Sequence, residues 1–253
     1  LFIFFDNLIK IRFNFIISIT ISILFILSSV LMLKNRQTLP QFNCIYKVPL
    51  TFWFLFQKSL YVGNRQPIKD IKIEERFNKI VFIIDESVRG DQLSINNNKK
   101  ETTPFLKSIE SKIFNYGIAY SSTNSTSTAN IILQSGIGKN DIPHKDFKAL
   151  KKSNIFQYAK HAGFHTIFID GQGSGLPINY MTKGDFKYID EHFPICKDKK
   201  IKRYEIDFKI IDILTHKLKT NEKTFIVINK MGCHFCYEHC YPENRKIFKP
   251  TTI

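Results

Sequence analysis

Three short, mostly apolar runs, Lys79–Ile84 (KIVFII), His165–Ile169 (HTIFI) and Thr224–Ile228 (TFIVI), most constrain what this chain can fold into. Each is too short for a buried helix, is rich in β-branched and aromatic side chains, and stops at polar residues. Each therefore reads as a strand covered on both faces. Between them lie segments with helical spacing: Pro104–Ile109, a helix from about Thr128, Ile155–His161 and Ile206–Leu218. Ile113–Tyr120 reads as a further strand. Strands alternating with helices predict an α/β domain with a mostly parallel sheet flanked by helices. In such sheets, sites gather at the carboxyl ends of the strands.

Ahead of this domain, Phe13–Leu33 is a run of 21 residues without a charge. At about 1.5 Å per residue it can cross a hydrocarbon layer of about 30 Å, which predicts a transmembrane helix. Lys10 and Arg12 precede it and Lys34 and Arg36 follow it, so the flanking charge leaves its orientation open. The chain starts at Leu1 with an apolar stretch and reads as the interior of a longer protein. Residues 37–77 mix prolines, charges and aromatics, including Trp53, Phe54 and Phe56, as a connector at a membrane interface would. The expected division is a membrane segment over 1–36, an interfacial linker over 37–77 and a catalytic domain over 78–253.

The formal net charge of +15 favours anionic partners. The lysines are scattered rather than gathered into a stripe, which argues against nucleic acid and leaves lipid head groups and phosphorylated glycans. Of five cysteines, Cys233, Cys236 and Cys240 crowd one stretch with His234 and His239, while Cys44 and Cys196 stand apart. That spacing suggests a zinc or iron–sulfur module as a rival reading, although a second Cys-x-x-Cys knuckle is missing.

Polar residues follow all three strands: Asp85-Glu86-Ser87, Asp170, and Met231-Gly232-Cys233-His234. One acidic residue at a strand end is ordinarily a cap or a turn, but three strand ends with the same habit point to a shared site for a cation. The hydroxyl run Ser121–Thr128 precedes an apolar helical stretch. Most of these hydroxyls serve as N-caps by default. A helix N-terminus also offers free N–H groups to a phosphate, and a hydroxyl held there beside a metal can become a nucleophile.

IVFIIDESVRGDQLS, TTPFL, the hydroxyl run ending in LQSG, FIDGQ and MGCHFCYEHCYPENRKIFKP occur in that order between Asn78 and Pro250. Together they resemble the successive motifs of the phosphoethanolamine transferases in the alkaline-phosphatase/sulfatase superfamily. The resemblance implies an inner-membrane enzyme with its catalytic domain in the periplasm and zinc as cofactor. It implies phosphatidylethanolamine as donor, a covalent intermediate on a threonine or serine, and a lipopolysaccharide acceptor, on lipid A or a core sugar. By motif, the metal ligands fall on Glu86 and Thr126, and the nucleophile on Thr126, with Ser125 the close alternative and Thr123 a more distant one. Strand alternation turns Asp85 to the side opposite Glu86. His234 would face the substrate phosphate or a second metal, with Tyr237, Tyr241 and Pro242 as structure.

Two departures matter. Cys233 stands where the family's motif has serine, and no Asp-His dipeptide, the family's remaining ligand pair, occurs in the sequence. Glu86 and Thr126 alone fall short of the usual zinc ligand set. An inactive, truncated form is therefore one competing reading. A phosphoglycerol transferase, phosphatase or sulfatase is another, although the hydroxyl run lacks the C/S-x-P-x-R pattern that a sulfatase needs.

Overall fold

The computed structural model describes residues 15–27, 64–69, 76–97, 99, 101–121, 123–141, 148–173, 181–182, 184–198, 200–245 and 247. The chain divides into two compact units, Leu1–Gly63 and Asn64–Ile253. In the first, residues 15–27 form a helix, α1. The Thr20 and Ser22 hydroxyls donate to carbonyls one turn back, at 2.9 and 2.8 Å, and so are satisfied within the helix. Phe15, Ile16, Leu24 and Leu27 are exposed on it. Among the described residues no helix is long and apolar enough to cross a membrane. The remainder of the uncharged run lies outside the described residues, as do Cys44 and the Trp53, Phe54 and Phe56 group.

The second unit is built on four strands, β1 (Lys79–Ile84), β2 (His165–Asp170), β3 (Glu191–Pro194) and β4 (Thr224–Asn229). They are all parallel, in the order β1-β4-β2-β3. Central β2 and β4 are buried almost throughout, as their unbroken apolar runs require. Ile167, Ile169, Ile226 and Ile228 pack on one face against Ile206, Ile210 and Leu214 of helix α5 (Ile206–Leu218). Phe168 and Val227 pack on the other against Phe156 of α4 (Ile155–His161) and Met181. Burial of each such side chain contributes about 1.5–3 kcal/mol, so the two-sided core carries the sheet. The α4 helix starts with a capping box: the Asn154 side chain accepts from Gln157 N, and the Gln157 side chain accepts from Asn154 N.

Arg65, inside the stretch expected to be linker, is buried in this unit, where its guanidinium pairs with the buried Asp185 carboxylate and donates to the Ala149 and Lys152 carbonyls. Short α2 (Pro104–Ser108) starts on its proline as expected. Helix α3 (Thr126–Ser135) starts two residues earlier than its spacing suggested, with Ser125 at the N-cap. Ile113–Tyr120 is not a strand: it joins no ladder among the described residues, and Gly117 at φ 78° interrupts it. Phe114, Tyr116 and Tyr120 are exposed there. The edge strand β3 carries little sequence signal because EHFP is short, charged at one end and closed by proline.

Pairing register brings the strand ends level. Asn229 lies opposite both Ile84 and Asp170, and Asp170 lies opposite Pro194. The residues that follow β1, β2 and β4 therefore leave the sheet at one edge.

Candidate active site

At the end of β1 the chain splits two carboxylates to opposite sides. Asp85 Oδ2 pairs with Lys230 Nζ at 2.8 Å, and its Oδ1 accepts the Glu86 N–H at 3.0 Å. Burial lowers the Lys230 pKa, but the hydrogen bond and charge of Asp85, with the charge of Asp207, outweigh it and the ammonium is held above its usual range. Glu86 turns inward and is 8% exposed. Its Oε1 accepts from Ser87 Oγ at 2.8 Å and from Thr126 Oγ1 at 3.1 Å, and its Oε2 accepts from Gln172 Nε2 at 2.9 Å. Ser87 is the non-glycine residue with positive φ among the described residues, at 57°, a conformation that costs about 1–2 kcal/mol and is commonest at functional sites.

Among the three candidate hydroxyls, the structure brings Thr126 to the carboxylate. Thr126 is the first residue of α3. Ser125, at the N-cap, makes no side-chain cap bond. The Thr123 hydroxyl is committed to the backbone, donating to Ser125 O at 3.2 Å. A cleft of about 490 Å³ opens over Glu86, Ser87, Thr123, Ser125 and Thr126, with Tyr120 on its rim and Ile84, Ile132 and Leu133 as apolar lining.

Behind this pair sits a buried polar network around Asp170, a residue expected at the shared strand-end site, with Asn130 and Asn229 as members the sequence did not single out. Asp170 is fully buried, and its Oδ1 accepts from Gln172 N, Gly173 N and Asn229 Nδ2 at 3.0, 3.1 and 3.2 Å. Its Oδ2 has no partner among the described residues, and burial raises the Asp170 pKa. Asn229 Oδ1 in turn faces Asn130 Nδ2 of α3 at 3.5 Å. One helical turn separates Asn130 from Thr126, so this chain of groups anchors the N-terminal half of α3 to the strand ends. Gln172 also donates to Lys230 O at 2.7 Å, which fixes the amide that holds Glu86. FIDGQ put Gln172 beside a strand end in the sequence, the one signal that could have singled it out.

The loop after β4 closes over the same edge. Asp207, in the first turn of α5, accepts from Met231 N at 2.9 Å and Gly232 N at 3.2 Å, and Cys233 N donates to Glu86 O at 3.2 Å. Gly232 has φ 48°, and a Cβ there would lie 2.8 Å from Asp85 Oδ1 and 3.0 Å from both Glu86 N and O. Gly232→Ala is therefore expected to destabilise the protein by about 2 kcal/mol or more, read as a lower urea midpoint. An unchanged midpoint would show that the two loops do not meet this closely.

His234 rides on this loop, but its ring lies against Arg203, with Nδ1 2.9 Å from Nη2. Among the described residues no hydrogen bond joins that ring to Glu86 or Thr126. Tyr237 opens a short 3-10 turn after it. Cys196, Cys233, Cys236 and Cys240 are free thiols. Burial raises the pKa of Cys233 and Cys240, and with Asp170 nearby it pushes Cys196 up to about 11. Among the described residues no three His, Cys, Asp or Glu side chains gather closely enough to hold a metal, so the cysteine-module reading finds no support in the geometry.

Glu86 itself suits a cation. It is buried, and among the described residues three neutral donors contact it but no lysine or arginine pairs with it. A buried carboxylate without a counter-charge is costly, and carboxylate and hydroxyl oxygens are acceptable zinc ligands. Glu86 and Thr126 supply part of such a ligand set.

A parallel sheet with a carboxylate and a helix-borne hydroxyl meeting at its carboxyl edge defines the class. The chain belongs to the sulfatase family, whose model matches residues 78–253. It is similar to phosphoethanolamine transferase CptA of Salmonella typhimurium, 25% identical over 174 residues that cover 68% of this chain and 30% of that protein. It is also similar to the Kdo(2)-lipid A phosphoethanolamine 7''-transferase of Escherichia coli, 25% identical over 178 residues, 69% of this chain and 30% of that protein. In fold it is similar to the C-terminal periplasmic domain of Escherichia coli EptC in complex with zinc, with TM-score 0.55 and 17% identity, covering 69% of this chain and 49% of that one. The chain thus spans about 30% of the length of the curated relatives it matches.

Proposed function

We propose that this protein transfers phosphoethanolamine from phosphatidylethanolamine to a lipopolysaccharide acceptor, a lipid A or core-sugar group, through a covalent intermediate on Thr126. The observation that carries this reading is the Thr126 hydroxyl 3.1 Å from the buried Glu86 carboxylate. The named activities of the two curated relatives support the substrate class. The 21-residue uncharged run, helical over 15–27, supports an inner-membrane anchor, and the likeness to the zinc-bound periplasmic domain of EptC supports a periplasmic location and zinc.

In this mechanism Glu86 and Thr126 would hold the zinc as part of its ligand set. When bound, zinc lowers the pKa of a coordinated hydroxyl and neutralises charge on phosphate oxygens. The chain's own residues do the rest. Gln172 and Ser87 fix the Glu86 carboxylate, and Asn130, through Asn229 and Asp170, fixes the helix that carries Thr126. The N-terminal N–H groups of α3 face the incoming phosphate. Thr126 Oγ attacks phosphorus, the bond from phosphorus to the diacylglycerol oxygen breaks, and diacylglycerol leaves with the proton. An acceptor oxygen then attacks the same phosphorus, the bond from phosphorus to Thr126 Oγ breaks, and the proton lost by the acceptor restores the threonine hydroxyl.

The test presents head-group-labelled phosphatidylethanolamine and phosphatidylglycerol separately to the full chain with zinc. Label is expected to reach protein and acceptor from the ethanolamine lipid alone. Transfer from phosphatidylglycerol instead would replace this reading with a phosphoglycerol transferase.

A further inference from the structure

A separate cavity of about 490 Å³ opens between the residues that lead into α5 and those that follow the His234 loop. Its volume falls in the range of small-molecule sites. Lys202, Arg203 and Tyr204 line it from the first segment, and Glu238, Tyr241 and Glu243 from the second. Two 3-10 turns, Tyr237–His239 and Glu243–Arg245, shape that second segment. Tyr241, a structural residue by motif, is half-buried in the lining.

The lining combines three kinds of group. Lys202 is exposed, and its ammonium lies 5.8 Å from the centre of the Tyr204 ring. Glu238 Oε1 stands 3.9 Å from His239 Nε2, beyond hydrogen-bond reach. A bare phosphate suits the two cations but is repelled by the two carboxylates, and a simple amine meets the reverse. A sugar that carries a phosphate satisfies all three. Its anion meets Lys202 and Arg203, its hydroxyls donate to the carboxylates, and its ring lies on the tyrosine faces.

Arg203 ties this cavity to the Glu86 site. Its Nη2 donates to Phe235 O at 2.6 Å and its Nη1 to Cys236 O at 3.4 Å. Three residues before Cys236, the Cys233 N–H donates to Glu86 O at 3.2 Å. The short loop between cavity and strand end is thus held at both of its ends.

We propose that this cavity is an acceptor subsite that holds a phosphorylated sugar, with its phosphate against Lys202 and Arg203, its ring on Tyr204 and Tyr241, and its hydroxyls on Glu238 and Glu243. The acceptor role rests on the transferase reading, whereas the preference for a phosphorylated sugar rests on the lining alone. An acceptor of several sugars can lie in the cavity and still present another of its oxygens to Thr126.

Titration calorimetry on the full, zinc-loaded chain tests the site, with glucosamine 1-phosphate and phosphoethanolamine as separate probes. Glucosamine 1-phosphate is expected to bind. Lys202→Met and Tyr241→Ala should each weaken it about threefold or more, and leave phosphoethanolamine within about twofold of its native affinity. Because Lys202 is exposed, Lys202→Met keeps the test open even where Tyr241→Ala fails to fold. No binding of the sugar phosphate to the native chain, or undiminished binding in folded Lys202→Met and Tyr241→Ala, overturns the site. An equal loss for phosphoethanolamine would make the cavity a head-group site and overturn the acceptor assignment. In transfer assays both variants should raise the acceptor KM by the same factor as the loss of binding, with the protein-linked intermediate forming from phosphatidylethanolamine at the native rate. Slower formation of that intermediate would count against an acceptor subsite. If the sugar phosphate binds as expected but the native chain forms no intermediate, the transferase reading fails and the sugar-phosphate site stands.

Discussion

Thr126→Ala should abolish phosphoethanolamine transfer, lowering the rate by a factor on the order of 10⁴ to 10⁶, the range seen when a covalent nucleophile is removed. Ser125→Ala should stay within about threefold. The contrast follows from where the two hydroxyls sit. Thr126 Oγ1 reaches the Glu86 carboxylate, whereas Ser125, one residue earlier, has the N-cap backbone but no side-chain cap bond to lose. For the same reason Ser125→Ala should change stability by less than about 0.5 kcal/mol, the low end of N-cap substitutions. Rates with purified donor lipid and chemical denaturation of both variants check this. A Ser125→Ala protein that is folded but inactive would move the nucleophile by one residue.

Glu86→Gln should weaken zinc binding by at least about a hundredfold, since it removes a ligand and even the loss of an outer partner costs 10- to 100-fold. Gln172→Ala removes such an outer partner and should weaken zinc by about tenfold, with the metal still bound at saturation. The stability of the metal-free protein should move the other way for Glu86→Gln. The native carboxylate is buried among neutral donors, so an uncharged isostere should leave the apo protein as stable or more so, while zinc rescues only the native chain. Metal titration with a competing chelator and apo and zinc-loaded melting curves give both signs. Equal zinc affinity in Glu86→Gln and native protein would remove Glu86 from the metal site.

The residues that carry these predictions differ in how far the sequence betrays them. Glu86 is visible because it follows the KIVFII strand by two residues and strand alternation separates it from Asp85. Their partners differ: Asp85 meets the Lys230 ammonium, and Glu86 meets the Thr126 hydroxyl and the Gln172 amide. Thr126 is visible only as one of several hydroxyls, because the helix start that distinguishes it from Ser125 depends on backbone geometry. Gln172 and Arg203 reach Glu86 and His234 over 86 and 31 residues of separation; FIDGQ places Gln172 beside a strand end, but the local sequence does not say which side chain either of them meets. The apolar runs of β2 and β4 announce themselves because both faces are buried. The edge strand β3 does not, and the apolar alternation of Ile113–Tyr120 misleads because Gly117 breaks the extended path.

The expected membrane span is described only over the helical residues 15–27, and the strand-end residues lie in the second unit.

Trapping the covalent intermediate tests the central claim most directly. The full chain, loaded with zinc and given phosphatidylethanolamine without acceptor, is digested and its peptides are mapped by mass spectrometry. One phosphoethanolamine group on Thr126, absent from Glu86→Gln, is the expected result. The group on Ser125, Thr123 or any other residue, or no adduct from a folded, zinc-loaded protein, would contradict the account.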